Sequence, residues 1–383
     1  MSGPERTIAI ATPFLGEEEW LALREPLQSG WLTQGPKVAQ FEREFARMHG
    51  VQRAIATTSC TTALHLALLA LDIGPGDEVI VPAFTWVATA NAVLYCGATP
   101  VFADVRRDTF NIDPERIASL LTPRTRAVIV VHLFGLCAPM DEIRALLPPH
   151  VAIVEDAACA AGARYRGRSA GALGRVAAFS FHPRKSITTG EGGMVTTDDA
   201  GLAERVDRLR NHGASVPEEV RHRGPRPWQL PEFAVLGYNF RMTDLQAAVG
   251  IVQLGRLEGF VTERGRRAAR YRECLADLPW LALPEEPAGG RHAWQAYVAY
   301  VDPGRAPMPR DAMMERLQAA GISTRPGTHA VHMLAYYRDR FGLAPDDFPG
   351  ARDCERNTMA IPLHNRMDDA DFDYVVRELR RLG

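Results

Sequence analysis

The sequence predicts an α/β fold, with a mostly parallel sheet in a large N-terminal domain and a smaller α/β domain after it. Three observations indicate this class. Short apolar runs alternate with helix-like runs over about the first 200 residues, a long helix-like stretch follows, and further strand-like and helix-like runs lie near the C-terminus. Continuous apolar runs are typical of strands that are covered on both faces, as in parallel sheets. We place the large domain at residues 1–250 and the small domain at residues 251–383.

Four short apolar runs are the predicted strands of the large domain. They are rich in Val, Ile and Phe, as expected for a buried sheet. The runs are DEVIVPAF (Asp77–Phe84), RAVIVVHLFG (Arg126–Gly135), VAIVED (Val151–Asp156) and VAAFSF (Val176–Phe181). The segment MDEIRALL (Met140–Leu147) lies between the second and third runs and is a predicted crossover helix.

The segment TTSCTTALHLALLALDIG (Thr57–Gly74) is predicted to form a turn of hydroxyl and thiol residues that opens a helix. Gly74 would end this helix. One face would carry Ala63, Leu64, Ala67, Leu68 and Leu71. A helix start rich in Ser and Thr offers free N–H groups and hydroxyls to a phosphate. The alternative is an ordinary N-cap without a ligand.

The C-terminal part opens with a predicted long helix, MTDLQAAVGIVQLGRLEGFVTERGRRAARYRECL (Met242–Leu275), in which apolar residues recur at roughly helical spacing. RHAWQAYVAYVD (Arg291–Asp302) is a predicted strand, and DAMMERLQAAGI (Asp311–Ile322) is a predicted helix that ends at Gly321. The stretch RHRGPRPWQLPE (Arg221–Glu232) is a predicted long loop. This order indicates the second α/β domain.

Composition and charge exclude several classes of partner. The 383 residues include 44 Lys plus Arg and 46 Asp plus Glu, a formal charge of -2, so the whole chain has no field that attracts nucleic acid or an anionic membrane. The start of the chain lacks a basic segment followed by an apolar one. The scattered cysteines form no C-x-x-C pair and no zinc-like spacing. We therefore expect a cytoplasmic protein with reduced thiols and no metal.

Several unusual residues follow the predicted strands, where open parallel sheets bind their ligands. Glu155 and Asp156 end the run VAIVED, and a buried carboxylate needs a cation or good donors to stay ionised. A buried salt bridge is the alternative for this pair. Trp86 follows VPAF and offers a flat ring, although most tryptophans belong to the core or its rim.

A lysine occupies a distinctive position in FSFHPRKSITTGEGGMVTTDD (Phe179–Asp199). Lys185 lies between two strand-like runs and just before a cluster of glycines at 190, 192 and 193, where backbone could approach a flat ligand. An ordinary surface lysine, solvated and mobile, would need no such setting. The pattern favours a lysine whose neutral amine takes part in chemistry.

A phosphate cradle, a flat aromatic ring, a buried carboxylate and a strand-end lysine are together the groups that hold pyridoxal 5'-phosphate (PLP). The lysine would bind the cofactor as an imine, and the carboxylate would pair with the pyridine nitrogen. An opposite charge at about 4 Å contributes about 4 kcal/mol at an effective dielectric constant near 20, which suffices to keep that nitrogen protonated.

Six blocks of the sequence also carry a family resemblance. They are SCTTALHLALLAL, VPAFTWVATANAVLYCGATPVFADV, VEDAACAAGARYRGRSAGALG, FSFHPRKSITTGEGGMVTTDD, LRNHG and GYNFRMTDLQAAVGIVQL. In this order they resemble the DegT/DnrJ/EryC1/StrS aminotransferases, PLP-dependent enzymes that mostly aminate keto sugars on nucleotide carriers. The resemblance runs nearly end to end. It implies the aspartate aminotransferase fold, called fold type I, and a homodimer with shared active sites.

The resemblance also implies roles for individual residues. Lys185 corresponds to the lysine that forms the imine, Asp156 to the partner of the pyridine nitrogen and Trp86 to the residue that stacks on the ring. The positions that contact the phosphate correspond to Ser59, Cys60, Thr61 and Ser180, and to Asn239 of the other subunit.

Two positions depart from the pattern of the family. Cys60 stands where the family commonly has Gly, and Cys159 stands where it often has Gln, which orients the ring substituents or the substrate. A thiol is a weak hydrogen-bonding group, so the contact made by Cys159 is open. Some relatives replace the lysine with histidine and remove a hydroxyl. Because Lys185 is present, we predict amination.

The predicted reaction moves an amino group from an amino acid, glutamate or glutamine by resemblance, to a nucleotide-linked keto-deoxyhexose. Arg221, Arg223 and Arg226 could meet the nucleotide diphosphate, or they could be solvated loop residues. His329 and His332 lie near the place where relatives contact the sugar; the alternative is a packed loop. Two His at this spacing without a third ligand do not predict a metal site.

Other functions remain open from the sequence. A PLP-dependent sugar dehydratase or a keto-cyclitol aminotransferase would keep the same cofactor residues. A protein that senses PLP or a sugar nucleotide without catalysis would keep the fold. A nicotinamide oxidoreductase is disfavoured, because no G-x-G-x-x-G follows a strand and opens a helix.

Overall fold

The computed structural model describes residues 4–216, 228 and 230–383. The described strands are, in chain order, β1 (Arg53–Thr57), β2 (Glu78–Pro82), β3 (Phe84–Thr85), β4 (Thr99–Ala103), β5 (Thr125–Val131), β6 (Ala152–Asp156), β7 (Arg164–Tyr165), β8 (Arg168–Ser169), β9 (Val176–Ser180), β10 (Gly193–Thr197), β11 (Leu281–Ala282), β12 (Gly290–Arg291), β13 (Tyr297–Val301), β14 (His329–Ala330) and β15 (Thr358–Ile361).

The described α-helices are α1 (Glu17–Ala22), α2 (Arg24–Ser29), α3 (Pro36–His49), α4 (Cys60–Ala70), α5 (Ala88–Tyr95), α6 (Pro114–Ile117), α7 (Met140–Leu146), α8 (Ala200–Arg210), α9 (Asp244–Leu275), α10 (Arg310–Ala319), α11 (Ala335–Phe341), α12 (Pro349–Asn357) and α13 (Asp369–Arg380). Short 3-10 turns cover Ala118–Leu120, Leu133–Gly135, Val331–Met333 and Pro345–Asp347. Within the described ranges, no helix has both the length and the apolar character that a bilayer crossing requires.

Seven strands form the main sheet, in the order β1-β10-β9-β6-β5-β2-β4. The neighbours from β9 to β4 run parallel, and β10 is antiparallel to both β9 and β1. The prediction of a mostly parallel sheet is therefore confirmed. Because β1 and β9 point the same way as the parallel strands, the ends of β1, β6 and β9 and the start of β10 all lie at one edge of the sheet.

Both faces of the main sheet are buried, which explains the continuous apolar strands. Side chains alternate between the faces of a strand. In β6, Val154 packs in the cluster that includes Leu64 of α4, whereas Ile153 packs in the cluster that includes Phe41 of α3. The next two residues of β6, Glu155 and Asp156, therefore also face opposite sides.

A smaller antiparallel sheet, in the order β11-β13-β15, lies in the C-terminal part. Its core is aromatic: the Tyr271 ring lies 5.0 Å from that of Tyr297 and 4.3 Å from that of Phe372. Helix α9, 32 residues long, crosses the predicted domain boundary between residues 250 and 251. That boundary stays a prediction.

Two predicted elements differ from the structure. Helix α4 ends at Ala70, with Leu71 as its C-cap, because Asp72 turns the chain with a left-handed φ of 59°; Gly74 is not its stop. The predicted strand from Arg291 to Asp302 is interrupted between β12 and β13, where Trp294 has a φ of 50°. The Trp294 ring stacks on that of His292 at 3.9 Å, so a tertiary ring contact accompanies the break.

The outer edge of the main sheet, strand β1, is covered by an ion pair. The amide of Ala56 donates to Glu42 Oε1 at 2.8 Å, and Arg210 Nη1 donates to the carbonyl oxygen of Ala56 at 2.6 Å. Arg210 is buried, and Asp207 also accepts from its Nε at 2.8 Å. Both outward backbone groups of Ala56 are thus satisfied by side chains.

Candidate active site

The strand ends that meet at one sheet edge form the candidate site. We call it the strand-end pocket, defined by Ser59, Cys60, Asp156, Cys159 and Lys185. Cys60 Sγ lies 4.0 Å from Asp156 Oδ1, and Lys185 Nζ lies 3.2 Å from Cys159 Sγ. The structure therefore brings these five residues together, although the first and last of them, Ser59 and Lys185, are more than 120 positions apart in the sequence.

The first turn of α4 forms one end of the strand-end pocket. Ser59 is its N-cap: the Ser59 hydroxyl accepts from the amide of Thr62 at 3.2 Å, and Thr62 Oγ1 accepts from the amide of Ser59 at 3.1 Å. The amides of Cys60 and Thr61 begin the helix and have no intrahelical acceptor. These amides and the helix dipole favour an anion at this place.

A glycine on β10 allows the chain to close around this helix start. A Cβ on Gly193 would lie 2.4 Å from the carbonyl carbon and oxygen of Ser59 and 2.7 Å from the amide nitrogen of Cys60. Gly193 also pairs with Ser180 across the β9–β10 ladder. The absent side chain therefore places the Ser180 end of β9 beside α4, and the set of amides and hydroxyls fits a phosphate group.

Asp156 is the carboxylate of the pocket. It is buried, its Oδ2 accepts from the Thr89 hydroxyl at 2.7 Å, and its Oδ1 accepts from the amide of Ala158 at 3.2 Å. Burial raises the pKa of Asp156, although these hydrogen bonds and the nearby Lys185 oppose the rise. A protonated pyridine nitrogen would supply the opposite charge that this carboxylate needs, so the site fits PLP at this end as well.

Its neighbour Glu155 serves a structural purpose. Glu155 accepts from His132 Nε2 at 2.9 Å and from the amides of Gly171 at 2.8 Å, Leu173 at 2.7 Å and Gly174 at 2.5 Å. Burial would raise the pKa of Glu155, but these donors lower it below its ordinary value. We call Glu155 and its four donors the Glu155 cluster. Glu155 is thus satisfied by donors of its own chain, away from the strand-end pocket.

Lys185 lies on the loop between β9 and β10 and is partly buried. Its amide donates to the carbonyl oxygen of His182 at 2.8 Å, and Gly190 later turns the loop with a φ of 83°. Burial alone would lower the pKa of Lys185, but its neighbours Cys159, Cys60 and Asp156 raise it. Burial raises the pKa of the Cys60 thiol well above its ordinary value.

Trp86 and the two candidate histidines have different settings. Trp86 is 59% exposed just after β3, and its ring lies 5.5 Å from the ring of His329. His329 pairs with Thr85 across the β3–β14 bridge and is exposed. His332 is fully buried, with Nε2 at 3.3 Å from the carbonyl oxygen of Pro345. The setting of His332 fits the packed-loop alternative.

The remaining candidates lie beyond this pocket or outside the description. Asn239 is exposed and forms an isolated antiparallel bridge with Asn211. The next residue, Phe240, accepts through its carbonyl oxygen from the amide of Thr58 at 3.0 Å. Arg221, Arg223 and Arg226 lie outside the described residues.

Sequence reasoning missed Thr89, the hydroxyl that contacts Asp156. A signal was present in the segment TWVAT, where Thr85 and Thr89 are four residues apart just after an apolar strand. Two hydroxyl residues so close together at a strand end were a sign of a polar contact, but which carboxylate they meet depends on the tertiary fold.

Comparisons with known proteins agree with this geometry. The sequence profile of the DegT/DnrJ/EryC1/StrS aminotransferase family matches residues 13–380. The chain is 43% identical, over 375 residues, to the spore coat polysaccharide biosynthesis protein SpsC of Bacillus subtilis (strain 168). The aligned residues cover 97% of this chain and 96% of SpsC.

Solved structures show the same likeness. The aminotransferase TlmJ from Streptoalloteichus hindustanus is 35% identical, with a TM-score of 0.89 and coverage of 98% of both chains. A protein from Streptococcus pneumoniae described as a sugar aminotransferase is 27% identical in its PLP and PMP forms, with a TM-score of 0.91 and coverage of 98% of both chains. The predicted aminotransferase fold is confirmed. The chain belongs to the DegT/DnrJ/EryC1/StrS aminotransferase family and is a PLP-dependent aminotransferase.

Proposed function

We propose that this aminotransferase moves an amino group from glutamate to the keto carbon of a nucleotide-linked keto-deoxyhexose. The observation that carries the reaction is the meeting of Lys185, Asp156 and the first turn of α4 in one pocket. Lys185 Nζ lies 3.2 Å from Cys159 Sγ, and the Sγ of Cys60, the first residue of α4, lies 4.0 Å from Asp156 Oδ1. The sugar acceptor is supported by relatives described as a polysaccharide biosynthesis protein and a sugar aminotransferase. Glutamate and the nucleotide carrier follow from the family resemblance.

The proposed cofactor contacts divide the pocket into two ends. At one end the amides of Cys60 and Thr61 and the hydroxyls of Ser59 and Ser180 would hold the phosphate. At the other end Asp156 would pair with the ring nitrogen, and Trp86 would cover a face of the ring. When bound, PLP supplies an electron sink for the bond that breaks at the amine-bearing carbon.

Lys185 is the proposed catalytic residue. Its loop is held by a hydrogen bond from the amide of Lys185 to the carbonyl oxygen of His182. Its Nζ lies inside the pocket, 3.2 Å from Cys159 Sγ. Once a substrate amine has taken its place on the cofactor, the free Lys185 amine would carry the proton to and from the substrate carbon. Partial burial limits the access of water to this amine.

We propose a homodimer in which each subunit completes the other's pocket. The segment that follows residue 229 exposes large apolar side chains: Leu230 is 79%, Phe233 60% and Leu236 87% exposed. Such a patch favours contact with another protein surface. Asn239, exposed at the end of this segment, would reach the phosphate of the neighbouring subunit, as the family resemblance implies. The free thiols of all six cysteines support the expected reducing, cytoplasmic compartment.

A direct assay tests the reaction. Purified protein with PLP, glutamate and a panel of nucleotide-linked 3-keto and 4-keto deoxyhexoses should yield an amino sugar and 2-oxoglutarate, both identified by mass spectrometry. A deoxygenated sugar would indicate a dehydratase, and an aminated keto-cyclitol would indicate the other acceptor class. Binding without turnover of any acceptor would indicate a sensor. Borohydride reduction and peptide mapping should place the cofactor on Lys185, and labelling of another lysine would contradict that assignment.

Mixing two inactive variants tests the shared site. Lys185→Ala removes the amine, and Asn239→Asp places a negative charge against the phosphate. Mixed dimers would contain one pocket with both defects and one with neither, so subunit exchange should restore activity to a fraction of the pockets. Absence of recovery, with exchange shown by mass-labelled subunits, would place Asn239 outside the neighbouring pocket.

A further inference from the structure

Two buried threonines connect Asp156 to β3, the strand that ends just before Trp86. Thr89 Oγ1 lies 2.7 Å from Asp156 Oδ2, and Thr85 Oγ1 lies 3.2 Å from Thr89 Oγ1. Thr85 and Thr89 are 1% and 0% exposed, so bulk solvent does not reach either side chain. The three side chains form a continuous hydrogen-bonded row, which we call the hydroxyl row.

When Asp156 is ionised, the hydrogen bonds of the hydroxyl row can run in one direction only, from Thr85 to Thr89 to Asp156. A carboxylate only accepts, so the single proton of the Thr89 hydroxyl points to Asp156. The hydroxyl of Thr85 must then donate to Thr89. The bond from Thr89 is the shortest that Asp156 accepts in the described structure; the amide of Ala158 lies at 3.2 Å, and the Cys60 thiol lies at 4.0 Å.

The position of Thr89 in its helix indicates that this contact is specific. Threonine hydroxyls in helices commonly bond a carbonyl oxygen three or four residues earlier. Thr89, in the first turn of α5, instead bonds a carboxylate 67 positions away in the sequence. Hydrogen bonds to a charged group are stronger than those between neutral groups. Among the charged and titratable groups around Asp156, Lys185 and His132 also favour its ionised form, whereas burial opposes it.

We propose that Thr89 is a positioning residue, which fixes the Asp156 carboxylate in its ionised form so that Asp156 can hold the proton on the cofactor's ring nitrogen. This inference rests on the proposed pairing of Asp156 with that nitrogen. Thr85 supports Thr89 by donating to its hydroxyl oxygen, so the proton of the Thr89 hydroxyl remains directed at Asp156. Because the Thr89 hydroxyl bonds the Asp156 carboxylate, its effect on the cofactor would pass through Asp156.

Four variants separate the members of the row. Thr89→Val keeps the shape of the side chain and removes the donor. Thr89→Ser keeps the donor. Thr85→Val leaves Thr89 in place and removes only its upstream partner. Asp156→Asn removes the charge and is the reference for a lost pairing.

The measurement is the ¹⁵N NMR signal of PLP labelled at the ring nitrogen and bound to each variant, since this signal reports protonation independently of turnover. Thr89→Val should move the signal toward the position of the unprotonated ring, with a loss of about tenfold in kcat, the effect of one hydrogen bond to a charged group. Thr89→Ser should stay near wild type. Thr85→Val should move the signal less, in the same direction, and it replaces Thr89→Val as the test if that variant fails to fold.

Two results would overturn the inference, and they differ in what else they contradict. If Asp156→Asn moves the signal but neither threonine variant does, Thr89 has only a packing role and the proposed role of Asp156 stands. If Asp156→Asn leaves the signal at the wild-type position, the pairing itself is wrong and the inference falls with it. Borohydride labelling of Lys185 in each variant confirms that the cofactor is bound at the same place.

Discussion

The Glu155 cluster and the strand-end pocket begin at neighbouring residues of one strand, and they treat their polar groups in opposite ways. In the Glu155 cluster, three backbone amides and a histidine converge on a carboxylate of the same chain. In the pocket, the first amides of α4 have no intrahelical acceptor, and Asp156 accepts from one hydroxyl and one amide with Lys185 nearby. One region satisfies its carboxylate with four donors of its own chain, whereas the other leaves helix-start amides for the ligand that we propose.

This difference shows how the fold separates stability from chemistry. Burial acts on both carboxylates, but donors lower the pKa of Glu155 whereas burial raises that of Asp156. A buried group that lacks full compensation costs stability and gains from a charged ligand. The alternation of side chains along β6 assigns these two tasks to adjacent residues.

The largest expected effect is on turnover in Asp156→Asn. The amide cannot pair by charge with the ring nitrogen, and an interaction of about 4 kcal/mol corresponds to a loss of about a thousandfold in kcat. Steady-state kinetics with saturating PLP would measure it. Glu155→Gln is the matched control, one residue away, and its folded fraction should keep a kcat within about tenfold of wild type. Undiminished turnover in Asp156→Asn would make Asp156 a second structural carboxylate.

The same pair of variants should diverge in stability, by the next largest effect. Glu155→Gln breaks a satisfied buried network and should lower the free energy of unfolding at pH 7 by about 3 kcal/mol. Because the folded-state pKa of Glu155 is lowered, its stabilisation is present above the unfolded value near 4.5 and is lost as pH falls through the folded value. The deficit of the variant should therefore shrink in acid.

Asp156→Asn should increase the stability of the folded protein at pH 7, whereas Glu155→Gln decreases it. Its folded-state pKa is raised above the ordinary 3.8, so the ionised form costs stability at pH 7, and the neutral amide should raise the melting temperature of protein without added PLP. Thermal melts of both variants at pH 7 and below pH 4.5 measure these signs. A loss of stability in both variants at pH 7 would remove the distinction between the two regions.

A smaller effect is expected at the helix start of the pocket. Gly193→Ala would place a Cβ 2.4 Å from Ser59 and 2.7 Å from Cys60, so the backbone must shift, at a cost of about 2 kcal/mol in stability. The shift should also weaken PLP affinity about tenfold, measured by fluorescence titration. Gly190→Ala is the control: no atom lies within 4 Å of its added Cβ, and only its φ of +83° is strained. Equal loss of PLP affinity in both variants would contradict a phosphate site beside Gly193.

The smallest effect is expected at Cys159. Its thiol lies 3.2 Å from Lys185 Nζ, but thiols are weak hydrogen-bonding groups, so Cys159→Ala should reduce kcat by less than about tenfold. Parallel kinetics of Lys185→Ala, which should be inactive, set the scale. A loss at Cys159 as large as that at Lys185 would show that the thiol takes part in the reaction.

Several parts of the fold followed from local pattern. Continuous Val and Ile runs predicted the buried parallel strands, and hydroxyl residues before an apolar helix predicted the start of α4. The end of α4 was predicted at Gly74, but the chain turns earlier, because Asp72 adopts a left-handed conformation that its residue type does not announce. The break before β13 depends on the contact of Trp294 with His292, which a strand-like pattern does not reveal.

The candidate site was predicted to a similar extent. Lys185, Asp156 and Ser59 stand out because chemically active residues follow apolar strands, and the family resemblance gave them roles. Thr89 and the donors of Glu155 depend on contacts between distant segments, so no local pattern specified them. The alternation of side chains along a strand predicts that adjacent residues face opposite sides of the sheet, but it does not predict which side holds a ligand.

The ion-paired edge of the main sheet has a consequence for self-association. An exposed edge strand is a template for adding strands from other molecules, which leads to aggregates. Because Glu42 and Arg210 already occupy the outward amide and carbonyl of Ala56, a foreign strand would have to displace this ion pair before it could bind there. The ion pair therefore disfavours the addition of a strand from another copy of the chain at this point of the edge.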